Sequence, residues 1–168
     1  MNNESNNSEI VSKNLKLRIP EIMKMWEERV LVEIRAAYHQ ETIALRDSIP
    51  DYLLQLSTIL STKTDRSQAR QKIELDESIR LGKKHGKERA GSINYTMDQM
   101  ILEYHILRQV IFDVLENEIV VNPIEREVIV CSIEQAVNDA ATQFSETLKD
   151  LQEQLSQDWK ESLEARQN

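Results

Sequence analysis

Apolar residues recur every three or four positions along most of this chain, which is the spacing of amphipathic α-helices. The clearest helix begins after Thr96, because Thr96 followed by Gln99 has the pattern of a capping box. Glu103, His105 and Arg108 lie among its apolar positions. Polar groups placed there need partners, so they are expected to fix how this helix packs on the preceding one. The apolar positions are Met97, Met100, Ile101, Tyr104, Leu107, Ile111 and Leu115.

Prolines and a glycine divide the chain before Thr96. Residues 10–19 predict a short helix, and Pro20 suits the first turn of a second helix whose apolar stripe, Tyr38 and Ile43 included, runs to Leu45. Pro50 predicts the start of a short apolar helix, and residues 61–67 are the most loop-like interior stretch. A further helix from Gln68 is expected to end near Gly91.

The last predicted helix begins at Asn122 and Pro123, as N-cap and first helical residue, and no Pro or Gly follows it. It would be roughly 60 Å long or more. Its apolar spacing has the eleven-residue rhythm of coiled coils with stutters. The helix could pack on its own domain as far as Phe144 and then fray. We favour self-pairing, since no other predicted surface covers the later positions, which are Leu148, Leu151, Leu155, Trp159 and Leu163.

The pattern as a whole predicts an all-α fold, a single bundle of five or six helices with a long C-terminal helix. Its 3 Gly and 3 Pro in 168 residues agree with this prediction. Residues 1–9 are predicted to be a disordered tail because they are rich in Asn and Ser. Residues 10–144 would form the helical domain, and residues 145–168 a coiled-coil-like helix.

Charge and cysteine usage narrow the possible partners. The net charge of -8 argues against nonspecific binding of nucleic acid or anionic lipid. The single cysteine, Cys131, excludes an internal disulfide, and its periodic apolar position predicts a buried side chain. No apolar run approaches a membrane span, and residues 1–8 lack signal-peptide features, so a cytoplasmic protein is expected.

The sequence gives little support for a metal, haem or catalytic site. His39, His85 and His105 lie on different predicted helices, without the close spacing of metal ligands. Haem would need a proximal histidine in an apolar pocket, for which His85 and His105 are the candidates, and we expect no cofactor. No phosphate-binding glycine loop, serine elbow or Cys-His pair is present, so we do not expect an enzyme.

One set of polar residues on neighbouring predicted helices stands out. Two of its pairs share a helix face one turn apart. The set is expected to form a buried salt-bridge and hydrogen-bond network joining the two helices. The alternative is a small polar pocket for a ligand, or a pH-sensitive switch centred on His85. Its members are His85, Arg89, Tyr95, Glu103, Tyr104 and Arg108.

The segment His85-Gly-x-x-Arg89-Ala90, then Tyr95, then Glu103-Tyr104-x-x-Leu107-Arg108-x-x-Ile111, resembles the RsbRD N-terminal domain family. That family is found at the front of sensor histidine kinases and of RsbR-type stressosome proteins. The resemblance extends over residues 19–144, where Trp26, Leu53-x-x-Leu56 and Ile133-x-x-Ala136 occupy the positions of family helices. Its specific part is residues 79–116.

The resemblance implies an all-helical sensory input domain that signals to an output, with a globin-like topology without haem as one form of it. The 168 residues include no phospho-accepting histidine helix, ATP-binding domain or STAS domain. The output is therefore expected in a longer chain or a separate partner, reached through a homodimeric coiled-coil connector. Two alternatives remain open: a haem-binding globin-type gas sensor, and an adaptor that only dimerises and has no ligand.

Overall fold

Five α-helices make up most of the computed structural model, which describes residues 2–40, 45–46, 48–61, 68–92 and 94–166. Within these ranges the side chains of residues 2–6, 39 and 68–74 are not described. The described part contains no strand, which confirms the predicted all-α fold with a long last helix. The helices are α1 Asn2–Glu33, α2 Ile49–Leu60, α3 Gln68–Ala90, α4 Met97–Glu116 and α5 Pro123–Ala165, with a short 3-10 helix at Ala37–His39.

The first helix corrects two predictions. It runs unbroken through Pro20, so the short helix over residues 10–19 and the new start at Pro20 were wrong. A proline removes one main-chain hydrogen bond, but Leu15 and Ile22 on either side of it are both fully buried. Packing of this face holds the helix together across the missing bond. The helix ends at Glu33, before Tyr38. Tyr38 was predicted to lie in the apolar stripe of this helix, but its side chain is 73 % exposed. The predicted stripe position Ile43 lies outside the described residues.

The expected disordered tail over residues 1–9 is also wrong for its described part. The main chain is helical from Asn2, and Ser8 is buried. The Ser8 hydroxyl donates to Glu125 Oε1 at 2.6 Å, and the Asn7 amide donates to Glu125 Oε2 at 3.0 Å. These partners come from the start of α5, far away in sequence. Composition alone could not indicate them.

The helix starts follow the local sequence signals. Thr96 and Gln99 form the predicted capping box at α4, and Asn122 with Glu125 forms another at α5. A proline occupies the first turn of both α2 and α5. The loop predicted over residues 61–67 lies outside the described residues except for Ser61.

The most extensive helix–helix interface in the described part of the bundle lies between α3 and α5. A Cβ added at Gly86 would lie 2.1 Å from the carbonyl oxygen of Ala140, and one at Gly82 would lie 3.0 Å from the Cβ of Asp139. Only glycine allows the two main chains to approach this closely. Because Gly82 and Gly86 are one turn apart, they form a smooth strip on α3 against which Ala136 and Ala140 pack.

The last helix changes character after Phe144, which is 1 % exposed. Every described residue of α5 beyond Phe144 is half-buried or exposed, and Leu155 and Trp159 are each 68 % exposed. The chain therefore packs against α5 as far as Phe144 and leaves the rest projecting. Earlier on this helix Cys131 is exposed, which corrects its prediction as a buried residue. No described helix combines the length and apolarity needed to cross a membrane.

Candidate functional site

A fully buried carboxylate, Glu103 on α4, is the centre of a polar cluster between α3 and α4. Its Oε2 lies 2.7 Å from His85 Nε2, and Arg89 Nε donates to both carboxylate oxygens at 2.9 Å. The Tyr95 hydroxyl donates to Oε1 at 2.5 Å. We call these four residues the Glu103 cluster.

Local geometry brings these side chains together. His85 and Arg89 lie one turn apart on α3, so both point at α4. Tyr95 lies in the link between the two helices, directly after Asn94, whose φ of 64° is in the left-handed region. Asparagine tolerates that conformation better than most residues. The chain reverses there, and the Tyr95 ring comes to lie under the Arg89 guanidinium, 5.1 Å from its carbon.

The cluster is tied to the rest of the bundle through main-chain oxygens. The Trp26 indole on α1 donates to the Glu103 carbonyl at 3.0 Å. Arg89 Nη2 donates to the carbonyl of Leu45 at 2.7 Å. The cluster therefore joins α1, the segment before α2, α3 and α4 at one point.

Aromatic rings extend the cluster towards α2. The Tyr104 ring meets the His85 ring edge-on, with centroids 5.2 Å apart. On its other side it meets the Tyr52 ring edge-on, with centroids 6.1 Å apart. Such edge-to-face pairs add modest stability and, more usefully, fix ring orientation.

The charges of the cluster favour ionised Glu103. Burial on its own raises the pKa of Glu103, but the hydrogen bond from His85, the charges of His85 and Arg89 and the hydrogen bond from Tyr95 together lower it below its usual 4.5. The pKa of Tyr95 is raised, first by burial and then by the charge and hydrogen bond of Glu103, against the opposing effect of Arg89. Tyr95 is therefore a neutral donor to a carboxylate anion.

Most of the predicted polar set meets in this cluster, with one exception. His85, Arg89, Tyr95 and Glu103 are in direct contact, and Tyr104 packs on His85. Arg108 is only half-buried and is not among the donors to Glu103. Sequence reasoning missed the Trp26 indole, the Leu45 carbonyl and the glycine strip. The repeated small residues one turn apart on α3 and α5 were the signal for that strip.

The cluster is closed to solvent, with His85 and Glu103 0 % exposed and Arg89 1 % exposed. A buried ion network of this kind fixes one arrangement of its helices and makes any other arrangement costly. Within the described ranges no three His, Cys, Asp or Glu side chains converge as a metal site would require.

Comparisons with known proteins found no counterpart. No family model matches the chain, and neither a curated protein nor a solved structure matches it. The resemblance to the RsbRD family thus stays a prediction.

Proposed function

We propose that the chain is a cytoplasmic regulatory input domain of a signal-transduction protein, which forms a homodimer through the projecting part of α5. In this proposal α5 carries a change in helix packing to an output, such as the kinase that the family resemblance suggests. One observation carries the proposal: α5 is a single helix, Pro123–Ala165, that is buried as far as Phe144 and projects from there with an apolar stripe.

The stripe supports pairing because it continues the buried face of the same helix. Ile133, Phe144 and Leu155 are spaced eleven residues apart. Eleven residues are close to three full turns, so these side chains lie on nearly the same side of a straight helix. Exposed apolar surface of this extent on one element is typical of an interaction site. The residues proposed to pair with those of a second copy are Leu148, Leu151, Leu155, Trp159 and Leu163, which are 39–68 % exposed.

The route from the Glu103 cluster to α5 is short. His85 and Arg89 lie on α3, and Gly86, between them, packs on Ala140 of α5. A change in how α3 docks on α4 must therefore act on the strip between α3 and α5. In the proposed relay this moves the crossing angle or register of α5 and, with it, the projecting pair of helices.

Pairing is tested by light scattering on the full chain and on Leu155→Asp, with Gln154→Asp as control. Each chain has a mass of 19.6 kDa, so the wild type should give twice that value. Two carboxylates facing each other in an apolar seam should convert Leu155→Asp to a monomer, whereas Gln154→Asp should remain a dimer. A monomeric wild type at high micromolar concentration would rule out the proposed pairing.

A dimerising adaptor without a ligand is the second candidate, and the complete closure of the Glu103 cluster favours it. A haem-binding sensor is supported less well, since His85 Nε2 is engaged with Glu103 and His105 is exposed. Titration with haemin separates them: a Soret band that is lost in His85→Ala would support haem binding. If no Soret band appears and the dimer is intact, the input domain and the adaptor remain as the candidate functions.

A further inference from the structure

A cavity of about 480 Å³ lies among α2, α3 and α5, away from the buried carboxylate of Glu103. Its volume is within the range of small-molecule sites. Most of its lining is apolar and includes Leu60, Val128 and Ala136. Two of its lining residues, Leu75 and Ile124, are 54 % and 43 % exposed, so the described lining reaches the surface of the molecule.

Two buried polar groups on the lining lack hydrogen-bond partners among the described residues. Asp139 is 8 % exposed, and its Oδ1 accepts from the Gln135 amide at 3.1 Å while Oδ2 has no such partner. Tyr52 is 4 % exposed, and its hydroxyl likewise has none within the described part of the chain. Buried polar atoms normally have partners, so these two are the places where a ligand would be held.

The charge of the lining selects the kind of ligand. Glu125 provides a second buried carboxylate, already hydrogen-bonded by Ser8 and Asn7. The described lining residues include no lysine, arginine or histidine. The described lining, with two carboxylates and no basic side chain, favours cations over anions.

From these observations we propose that the cavity binds a small amphiphilic amine. Its apolar body lies against Leu60 and Val128, and its ammonium group donates to Asp139 Oδ2. The Tyr52 hydroxyl offers a second acceptor on the same lining. The carboxylate supplies a charge-assisted hydrogen bond, and the apolar walls exclude water around it.

The cavity also touches both ends of the proposed relay. Tyr52 contacts Tyr104, which contacts His85, so a bound ligand lies two rings away from the Glu103 cluster. Asp139 belongs to α5 and lies against Gly82 of α3. The role of the amine as the signal rests on the proposed function, whereas its binding does not.

Isothermal titration calorimetry on the full chain tests the site with three probes that share one apolar body. These are 4-phenylbutylamine, 4-phenyl-1-butanol and 4-phenylbutanoate, at neutral pH. The amine should bind at least about tenfold more tightly than the alcohol, and the carboxylate should not bind measurably. Losing the charge-assisted bond in Asp139→Asn should weaken amine binding by roughly ten- to hundredfold and leave the alcohol unchanged. Asp150→Asn, an exposed position on the same helix, is the matched control.

Equal binding of all three probes, or amine binding indifferent to Asp139→Asn, would overturn the proposal. If Asp139→Asn does not fold by circular dichroism, Tyr52→Phe takes its place and should weaken amine binding several-fold. Light scattering on the same samples separates the two proposals. No amine binding by an intact dimer overturns the site alone, and amine binding by a monomeric chain overturns the pairing alone.

Discussion

Replacing Glu103 with glutamine is the most direct perturbation of the buried cluster. The side chain keeps its shape but loses its charge, and its NH2 group replaces one of the oxygens that now accept hydrogen bonds. Arg89 donates to both carboxylate oxygens and is 1 % exposed, so its buried guanidinium would lose the charge of the carboxylate with which it now pairs. The Glu103→Gln variant therefore combines the loss of a buried ion pair with at least one mispaired donor.

Removing one partner of a buried ion pair typically costs about 3–5 kcal/mol. The bond from Arg89 to the Leu45 carbonyl does not depend on Glu103 and does not replace the lost carboxylate charge. For a domain of this size each kcal/mol corresponds to a change in Tm of about 2–4 °C, so we expect a fall of roughly 6–20 °C. Surface substitutions usually stay within about 0.5 kcal/mol.

Urea unfolding followed by circular dichroism and tryptophan fluorescence measures this loss. Trp26 is fully buried and donates to the Glu103 carbonyl, whereas Trp159 is exposed, so a Trp159→Phe background makes the emission report on the cluster. Asp113→Asn, an exposed acid on the same helix, is the matched control. A loss below about 1 kcal/mol in Glu103→Gln, equal to that of the control, would refute the reasoning.

A double-mutant cycle shows whether the loss arises from the ion pair. Arg89→Met removes the other partner of the ion pair that Glu103→Gln breaks, so the double variant should lose less than the sum of the single variants. Coupling of about 2 kcal/mol or more is expected for groups in direct contact. Additive losses would mean that the two side chains stabilise the fold independently, which the 2.9 Å contacts argue against.

Two further predictions concern the same region. Gly86→Ala should destabilise the chain by about 2–3 kcal/mol or more in urea unfolding, because the added Cβ meets a main-chain oxygen. Gly91→Ala is the control: there the added Cβ makes ordinary contacts of 3.6 Å and more, so this variant should be neutral or slightly more stable. Since the folded-state pKa of Glu103 lies below its usual 4.5, its contribution is complete above that value and is lost as pH falls through the folded-state pKa. Unfolding free energy measured from pH 6 to pH 3 should therefore fall less steeply in Glu103→Gln than in the wild type, and parallel curves would contradict this.

The sequence allowed good prediction of features that depend on neighbouring residues. The capping box at Thr96 and the N-cap at Asn122 depend only on residues close in sequence, and the apolar rhythm of α5 correctly ended the buried part at Phe144. The continuity of α1 through Pro20 could not be predicted in this way. It depends on packing against helices that are distant in the chain.

The residues of the site divide in the same way, into those that local sequence indicates and those that depend on distant segments. His85 and Arg89 could be paired from their one-turn spacing, and Glu103 could be identified as a polar residue among apolar ones. Arg108 was included because it lies one turn from Tyr104 on the same helix. It does not donate to Glu103, since five residues of helix turn it about 140° away from that side chain. The bonds from Trp26 and to Leu45 join distant segments, and no periodicity within one helix indicates them.

The arrangement of α5 limits how a signal could travel in the proposed relay. Asp139 lines the cavity, Ala140 lies against Gly86, and the projecting stripe begins at Leu148, all on one uninterrupted helix. The glycine strip has no side chains that could change rotamer and absorb a small displacement. A shift of α3 against α5 must then move main chain against main chain, which favours a step between two packings over a gradual slide. A helix without a break transmits rotation about its axis. Such a step at Ala140 would therefore turn the apolar stripe at Leu155 to face a different direction.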